Sequence, residues 1–262
     1  MNVLAVLSFA LAGLVFGWAA FTSTDNPKSF LDLHGLVIVL GGSVAATSIS
    51  FQLDRVFMML KVFWNRTIRG RKPDYIKVIK DLMKLADEYR NDSPNLRALV
   101  DSQQDPFIRE SMNLLLDEIV DDSHLAKILR ARTETVYERY NDDASRFRAM
   151  GKYPPAMGLM GAVLGMIALL GGLGKPGAEK TIGPSMSIAL VATLYGIAFA
   201  NLVVIPIGEN LTETAKENRR KNVIIVEGMK LVAAKTNPIV LAEELNSYLL
   251  PSERIDWKKV TM

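Results

Sequence analysis

The run Tyr153-Pro-Pro-Ala-Met-Gly-Leu-Met-Gly-Ala-Val-Leu-Gly-Met-Ile-Ala-Leu-Leu170 opens with two prolines, continues without a charge and spaces small residues by threes and fours. A second uncharged run, Ile188 to Ile207, follows almost at once. Two such runs in tandem leave few ways to fold in water. They read as a membrane hairpin whose inner wall another helix can approach closely. Two further windows extend the pattern: Val3 to Phe21 holds no charge over 19 residues, and Leu33 to Phe51 carries His34 but no acidic or basic residue. The 49% apolar share and the mean hydropathy of +0.16 are high for a soluble chain of 262 residues. Four spans are therefore expected. A signal peptide cleaved near Ala19-Ala20 is the alternative for the first. Met1-Asn2 supplies no positive leader, however, and a second span follows closely, so an uncleaved helix is expected.

The net charge is only +3, and its placement is more informative than its sum. Of 31 basic residues, 19 lie between Gln52 and Lys152 and 9 after Pro206, while the connectors Thr22 to Phe30 and Leu173 to Gly183 hold only Lys28, Lys175 and Lys180. The basic residues flanking the spans decide orientation: Arg55, Lys61, Arg66, Arg69, Arg71 and Lys72, then Arg146, Arg148 and Lys152, then Lys216, Arg219, Arg220 and Lys221. All three clusters place both termini, the long loop and the tail in the cytoplasm, with two short connectors outside. The fold class expected is all-α: an integral membrane protein with four transmembrane helices and a helical cytoplasmic domain between spans two and three. The expected divisions are 1–51 (spans one and two), 52–152 (cytoplasmic domain), 153–208 (spans three and four) and 209–262 (tail).

The loop is too long to be a mere connector. Its segment Asp74 to Arg90 repeats apolar residues at Tyr75, Ile79, Leu82, Met83 and Ala86, the helical period. Asp105-Pro106 offers an N-cap with proline at the first helical position, opening a helix to about Val120. Ser123 can cap another, in which Leu125, Ile128, Leu129, Arg132, Val136 and Tyr140 continue at helical spacing toward Met150 and span three. Asn237-Pro238 starts a last helix, Ile239 to Leu250, which Pro251 stops.

Several function classes fall away. The chain has no cysteine, which removes disulfides, thiol nucleophiles and thiolate metal sites, and its two histidines, His34 and His124, are too separated for a histidine-based metal site. No catalytic constellation or phosphate-binding glycine loop supports an enzyme, and no cofactor is expected. The loop mixes 19 basic with 17 acidic residues, so no nucleic-acid footprint is indicated.

Gly158, Gly161, Ala162, Gly165, Ala168 and Gly172 share one helical face. Such a stripe serves plain helix packing, since lipid gives no hydrophobic drive and contact depends on close fit. Span four repeats the device with Ala189, Thr193, Gly196 and Ala200, adding a hydroxyl midway and Asn201 near its end. Thr193 can equally bond its own preceding carbonyl and do nothing more. Pro155 sits where a helix begins and Pro206 at a helix end, so each is either a boundary marker or a hinge. Intramembrane charges mark ion paths, and the four spans have none. Either the chain moves no ions, or an acidic helix from another polypeptide sits against its small-residue faces.

The order of these pieces resembles the flagellar stator A subunits (MotA and its sodium relative PomA), within the wider group that includes the TolQ and ExbB energisers. The matching residues are Asp32 through Leu40-Gly41-Gly42-Ser43, Pro155-Ala156-Met157-Gly158, Gly183-Pro184, Thr193-Leu194-Tyr195-Gly196, Asn201 to Pro206, and the tail from Asn237-Pro238. Four spans favour the stator over the three-span energisers, whose non-flagellar load or a gliding machine is the alternative function.

The resemblance implies a multi-pass subunit of the bacterial inner membrane. Five copies would surround a dimer of a B-type subunit (MotB/PomB-like) bearing the ion-binding aspartate and a peptidoglycan-binding domain. It implies that Pro155 and Pro206 couple ion passage to movement, and that Ala162, Thr193 and Tyr195 line or adjoin the ion path. Ala162 stands where sodium-driven members place threonine. A missing oxygen ligand weakens sodium coordination, so proton drive is expected, with sodium the alternative. Arg90 matches the arginine that contacts the rotor's switch protein (FliG-like). Val100 stands where the acidic counterpart is expected, with Asp101 beside it, so either Asp101 substitutes or that contact is rearranged.

Overall fold

A computed structural model describes residues 3–23, 27–54, 56–58, 60–61, 64, 73–117 and 121–255. Arg55, Arg66, Arg69, Arg71 and Lys72 of the first basic cluster lie outside them, as does Val120, and the Ser123 side chain is not described. Among the described residues every regular element is helical: α1 (Val3–Thr22), α2 (Leu33–Ser50), α3 (Tyr75–Arg90), α4 (Leu96–Asp101), α5 (Pro106–Leu116), α6 (Asp122–Ala149), α7 (Tyr153–Gly172), α8 (Glu179–Phe199), α9 (Ile205–Ala233) and α10 (Pro238–Asn246). Two compact units result, one from residues 1–71 and 141–213, the other from 72–140 and 214–262, and their boundaries fall inside α6 and α9.

In the second unit the local signals act as read. Asp74 caps α3 by accepting from the Lys77 amide at 2.9 Å, Asp105 caps α5 by accepting from the Phe107 amide at 2.9 Å with Pro106 behind it, and Asn237 caps α10 by accepting from the Ile239 amide at 2.9 Å. The capped helices bury one core: Ile79, Leu82 and Leu85 of α3, Ile108 and Met112 of α5, Leu125 and Leu129 of α6, Ile224, Ile225 and Met229 of α9, and Leu241 and Leu245 of α10. Loop and tail thus share a core that neither completes alone. Buried Asn246 fixes the tail further, because its side chain donates to the Ile255 carbonyl at 3.0 Å and accepts from the Ile255 amide at 2.9 Å. That use of Asn246 accompanies an α10 ending there, short of the expected Leu250.

Polar ties finish this unit. Arg219 of α9 forks onto the Glu134 carboxylate of α6 with contacts of 2.8 to 3.1 Å and stacks over Tyr137, while Arg130 bonds Glu227. Burial works against ionisation of Glu227, and hydrogen bonds from Lys230 and Arg130 outweigh it, so its carboxyl is held below the usual carboxylate range. Val136 and Tyr140 continue the periodicity of Leu125 and Leu129 yet are 44% and 51% exposed, because the buried face of α6 turns instead through Thr133 and Ala144.

In the first unit α2, α7 and α8 pack together, and α7 and α8 form an antiparallel hairpin through residues 173–178. Gly174 and Gly177 turn that connection with φ of +89° and +81°, conformations that L side chains rarely adopt. Among the described residues, three helical runs are long and apolar enough to cross a membrane: Leu33–Ser50 and windows within His124–Gly172 and Glu179–Ala233. Two boundaries differ from expectation. The helix of span four starts at Glu179, so Pro184 lies inside it; the Glu179 carboxylate suits the positive end of a helix, and Pro184 is close enough to that end to remove only one ladder bond. Pro206 is not at a helix end either. It lies one residue into α9, directly after a widened turn with π-helical bonding at Ala200–Val204, in a run that stays helical from Glu179 to Ala233. The widened turn accommodates a residue that has no N–H for the preceding turn and whose ring would press on its carbonyl.

The small-residue stripe has an occupant within the chain. A methyl on Gly158 would stand 2.8 Å from the Ala192 carbonyl oxygen and 3.1 Å from the Thr193 Cα; one on Gly165 would stand 2.9 Å from the Ala189 Cβ. The packing reading of the stripe holds for Gly158, Gly161 and Gly165, which meet α8, while Ala162 stays half-buried and Ala168 exposed on the same face. Overpacking a tight contact costs about 1–3 kcal/mol. Gly158→Ala is expected to lower the thermal stability of the detergent-solubilised protein by that order. Gly171→Ala, which meets open space, is expected to leave it unchanged or raise it.

Candidate functional site

The five residues assigned to the ion path or its coupling all fall in the α2, α7 and α8 unit. Thr193 is half-buried on α8, and its hydroxyl donates to the Ala189 carbonyl one turn back at 3.1 Å, with the Gly158 carbonyl of α7 at 3.4 Å. The self-bonded reading of Thr193 is thus the nearer contact, and the second carbonyl adds a weak tie across the hairpin. Its oxygen keeps lone pairs that an incoming cation or water can use. Ala162 is half-buried on α7 and brings no oxygen.

Tyr195 has a different place from that of an ion ligand. Its hydroxyl donates to the Phe30 carbonyl and accepts from the Asp32 amide at 3.3 Å, which fixes the turn leading into α2. Asp32 in turn caps α2, accepting from the Gly35 amide at 2.7 Å, and a methyl on Gly35 would stand 3.4 Å from Ala192. Asp32 was read as a matching residue and not as part of the site, yet it shares a bonded group with Tyr195 beside the Thr193 turn. The signal was present in the sequence as an N-cap aspartate just before an uncharged run.

The two prolines sit beside the two departures from α geometry. Pro155 follows a 3-10 turn at Met150–Lys152, and Pro206 follows the widened turn at Ala200–Val204. These irregular turns face each other, since a methyl on Gly151 would stand 2.8 Å from the Ile205 side chain. Below them Gly208 lies against the Arg148 backbone, where an added methyl would be 3.0 Å from its Cα, and Arg148 pairs with Glu209 at 3.1 Å. Sequence reasoning found the prolines but not Gly151 and Gly208, which let the two helices touch where their geometry is weakest.

No Asp, Glu, Lys or Arg occurs in α2, where His34 is the one histidine; α7 has no acidic, basic or histidine side chain, and α8 has none after Lys180. Among the described residues no group of three His, Cys, Asp or Glu could hold a metal ion. The arrangement can pass or exclude small ions along hydroxyl and carbonyl oxygens, but it cannot itself hold a proton in transit through the hairpin.

Arg90 and Asp101 lie in the other unit. Arg90 is exposed in the last turn of α3 and Asp101 is exposed at the end of α4, and neither pairs with a described residue. Their neighbours are committed elsewhere: Arg97 to Asp117 at 3.2 Å, and Asp92 to Lys235 at 2.9 Å. Val100 is 1% exposed, so a carboxylate at that position would face the core and not a partner.

Comparison with known proteins gives this geometry its context. The model of the MotA/TolQ/ExbB proton channel family matches residues 99–222. Motility protein A of Borreliella burgdorferi is 28% identical over 261 residues, covering 97% of this chain and 96% of that one. The YtxD protein of Bacillus subtilis is 30% identical over 250 residues, covering 94% of this chain and 88% of its own length. The solved structure of the flagellar MotAB stator complex from Bacillus subtilis shares the fold, with a TM-score of 0.84 at 21% identity and 98% of each chain covered. A full-length relative at 30% identity, a matching family model and a shared fold agree: the chain belongs to the MotA/TolQ/ExbB proton channel family.

Proposed function

We propose that this chain is the A-type subunit of a flagellar stator, forming with a B-type subunit an ion channel that couples ion flow to torque on a rotor. The observation that carries this reading is a close-packed hairpin, without acidic or basic residues from Tyr153 to Gly172 and from Thr181 to Phe199, in a chain that matches 96% of a motility protein's length. In the reading α1 joins α2, α7 and α8 as a fourth span in the bacterial inner membrane. Its Val3–Thr22 length and lack of charge support that role. The unit built from 72–140 and 214–262 is cytoplasmic, as are both termini, which the basic clusters favour. Five copies surround the B-type dimer, whose peptidoglycan-binding domain anchors the assembly and whose carboxylate binds the ion.

The transported ion is the proton. Ala162 supplies no oxygen, which removes one ligand from the shell of oxygens that sodium requires. Pro155 and Pro206, beside facing irregular turns, are the places where α7 and α9 can change pitch most cheaply. Arg90 meets acidic groups on the rotor's switch protein, and Asp101 takes the acidic role that core-facing Val100 cannot.

Two outcomes test the reading. Cells relying on this stator are expected to swim unchanged when sodium is replaced by potassium; speed that follows the sodium gradient would overturn the role given to Ala162. An exposed ion pair contributes up to about 1 kcal/mol, so Arg90→Ala is expected to weaken engagement with the rotor about fivefold, and Arg90→Glu to reduce it further, with membrane assembly intact. Unchanged stall torque in bead assays of both variants would remove Arg90 from the interface.

A further inference from the structure

Within the chain α1 makes its main contact only with the turn Pro27–Phe30. It is nevertheless patterned. Leu7, Leu11, Leu14, Trp18 and Phe21 recur at steps of four and three, which aligns them as one ridge, and the four from Leu11 to Phe21 are 62–73% exposed against 48% for Phe16 opposite. A ridge of large side chains at heptad spacing is the form that enters a groove on another helix pair.

The same unit has such a groove. Between α2 and α8 lies a cleft of about 270 Å³, walled by Leu36, Val39 and Leu40 on one side and Ala198, Phe199 and Leu202 on the other. The widened turn at Ala200–Val204 contributes to its floor. A cavity of about 150 Å³ lined by such side chains accepts a benzene-sized group, so this one holds about two leucine- or ring-sized knobs. Its wall is carbon, because the Tyr195 hydroxyl is turned to Phe30 and Asp32.

We infer that α1 docks by its Leu11, Leu14 and Trp18 ridge into the α2–α8 groove of a second copy of the same chain. Depth supports the match. Thr22 and Leu33 flank the connecting turn, so Trp18 to Leu11 and Leu36 to Leu40 both lie within three turns of it, running the same way into the membrane. Chemistry selects the occupant. A helix carrying a titratable carboxylate would bury an uncompensated polar group against carbon, whereas α1 has no charge from Val3 to Thr22. A ridge and a groove at different places on each copy make a head-to-tail contact of the kind that closes rings.

The inference rests on the membrane reading above, and the experiment separates the two. The chain has no cysteine, so single cysteines report cleanly. Leu14→Cys and Leu40→Cys are placed in differently tagged full-length copies, co-expressed in membranes with the B-type partner and oxidised. A mixed-tag disulfide dimer is expected, at several-fold higher yield than when Phe16→Cys replaces Leu14→Cys, and it is expected to disappear when Ala198→Trp fills the groove. Equal yields from Leu14→Cys and Phe16→Cys, capture of Leu40→Cys by another polypeptide, or no bond at all, as an acyl chain in the groove would give, each overturn it. Carbonate extraction of the same membranes reads insertion independently. Variants retained but not crosslinked sink the docking alone, while extracted wild-type protein sinks the membrane reading and the docking with it.

Discussion

The backbones of α7 and α8 touch, and most of the membrane unit follows from that. Lipid competes for apolar side chains as well as another helix does, so two helices stay together only where dispersion contacts are dense, and density needs residues without bulk. Gly158, Gly161 and Gly165 on one side and Ala189, Ala192 and Gly196 on the other provide it. This contact takes Gly158, Gly161 and Gly165 of the stripe and leaves Ala162 half-buried and Ala168 exposed, where a helix from another polypeptide can still approach.

The irregular turns give the same unit a second property. Where α7 begins and where α8 passes into α9, helical bonding departs from the α pattern within a few residues of a proline, and the two departures lie against each other through Gly151 and Ile205. Elsewhere the helices are held by caps, ion pairs and a packed core, so a change in pitch is least costly here.

Sequence patterns exposed the uncharged runs, the cap at Asp105, the helix start at Asn237-Pro238 and the core face of α3, because each is a local rule acting on neighbouring residues. What escaped is tertiary. Val136 and Tyr140 share the helical spacing of Leu125 and Leu129, and spacing alone does not say that they stay exposed. Pro206 looked like a stop because a proline lacks one bond, and only the neighbouring widened turn shows how the helix continues. Tyr195 was legible as part of a motif, yet its bonds to Phe30 and Asp32 join residues more than 160 positions apart. The stripe was found in full, and its occupant was not, since a small-residue face is blind to which helix fills it.

The central claim is that the α7–α8 hairpin has no carboxylate or histidine between Tyr153 and Gly172 or between Lys180 and Phe199, so that proton passage depends on a carboxylate lent by a second polypeptide. The direct measurement is proton flux into potential-driven vesicles containing this chain alone, this chain with its B-type partner, and the complex with the partner's membrane carboxylate changed to its amide. Flux only in the intact complex is the expected result. Flux through this chain by itself, or through the complex after the carboxylate is neutralised, would contradict the account.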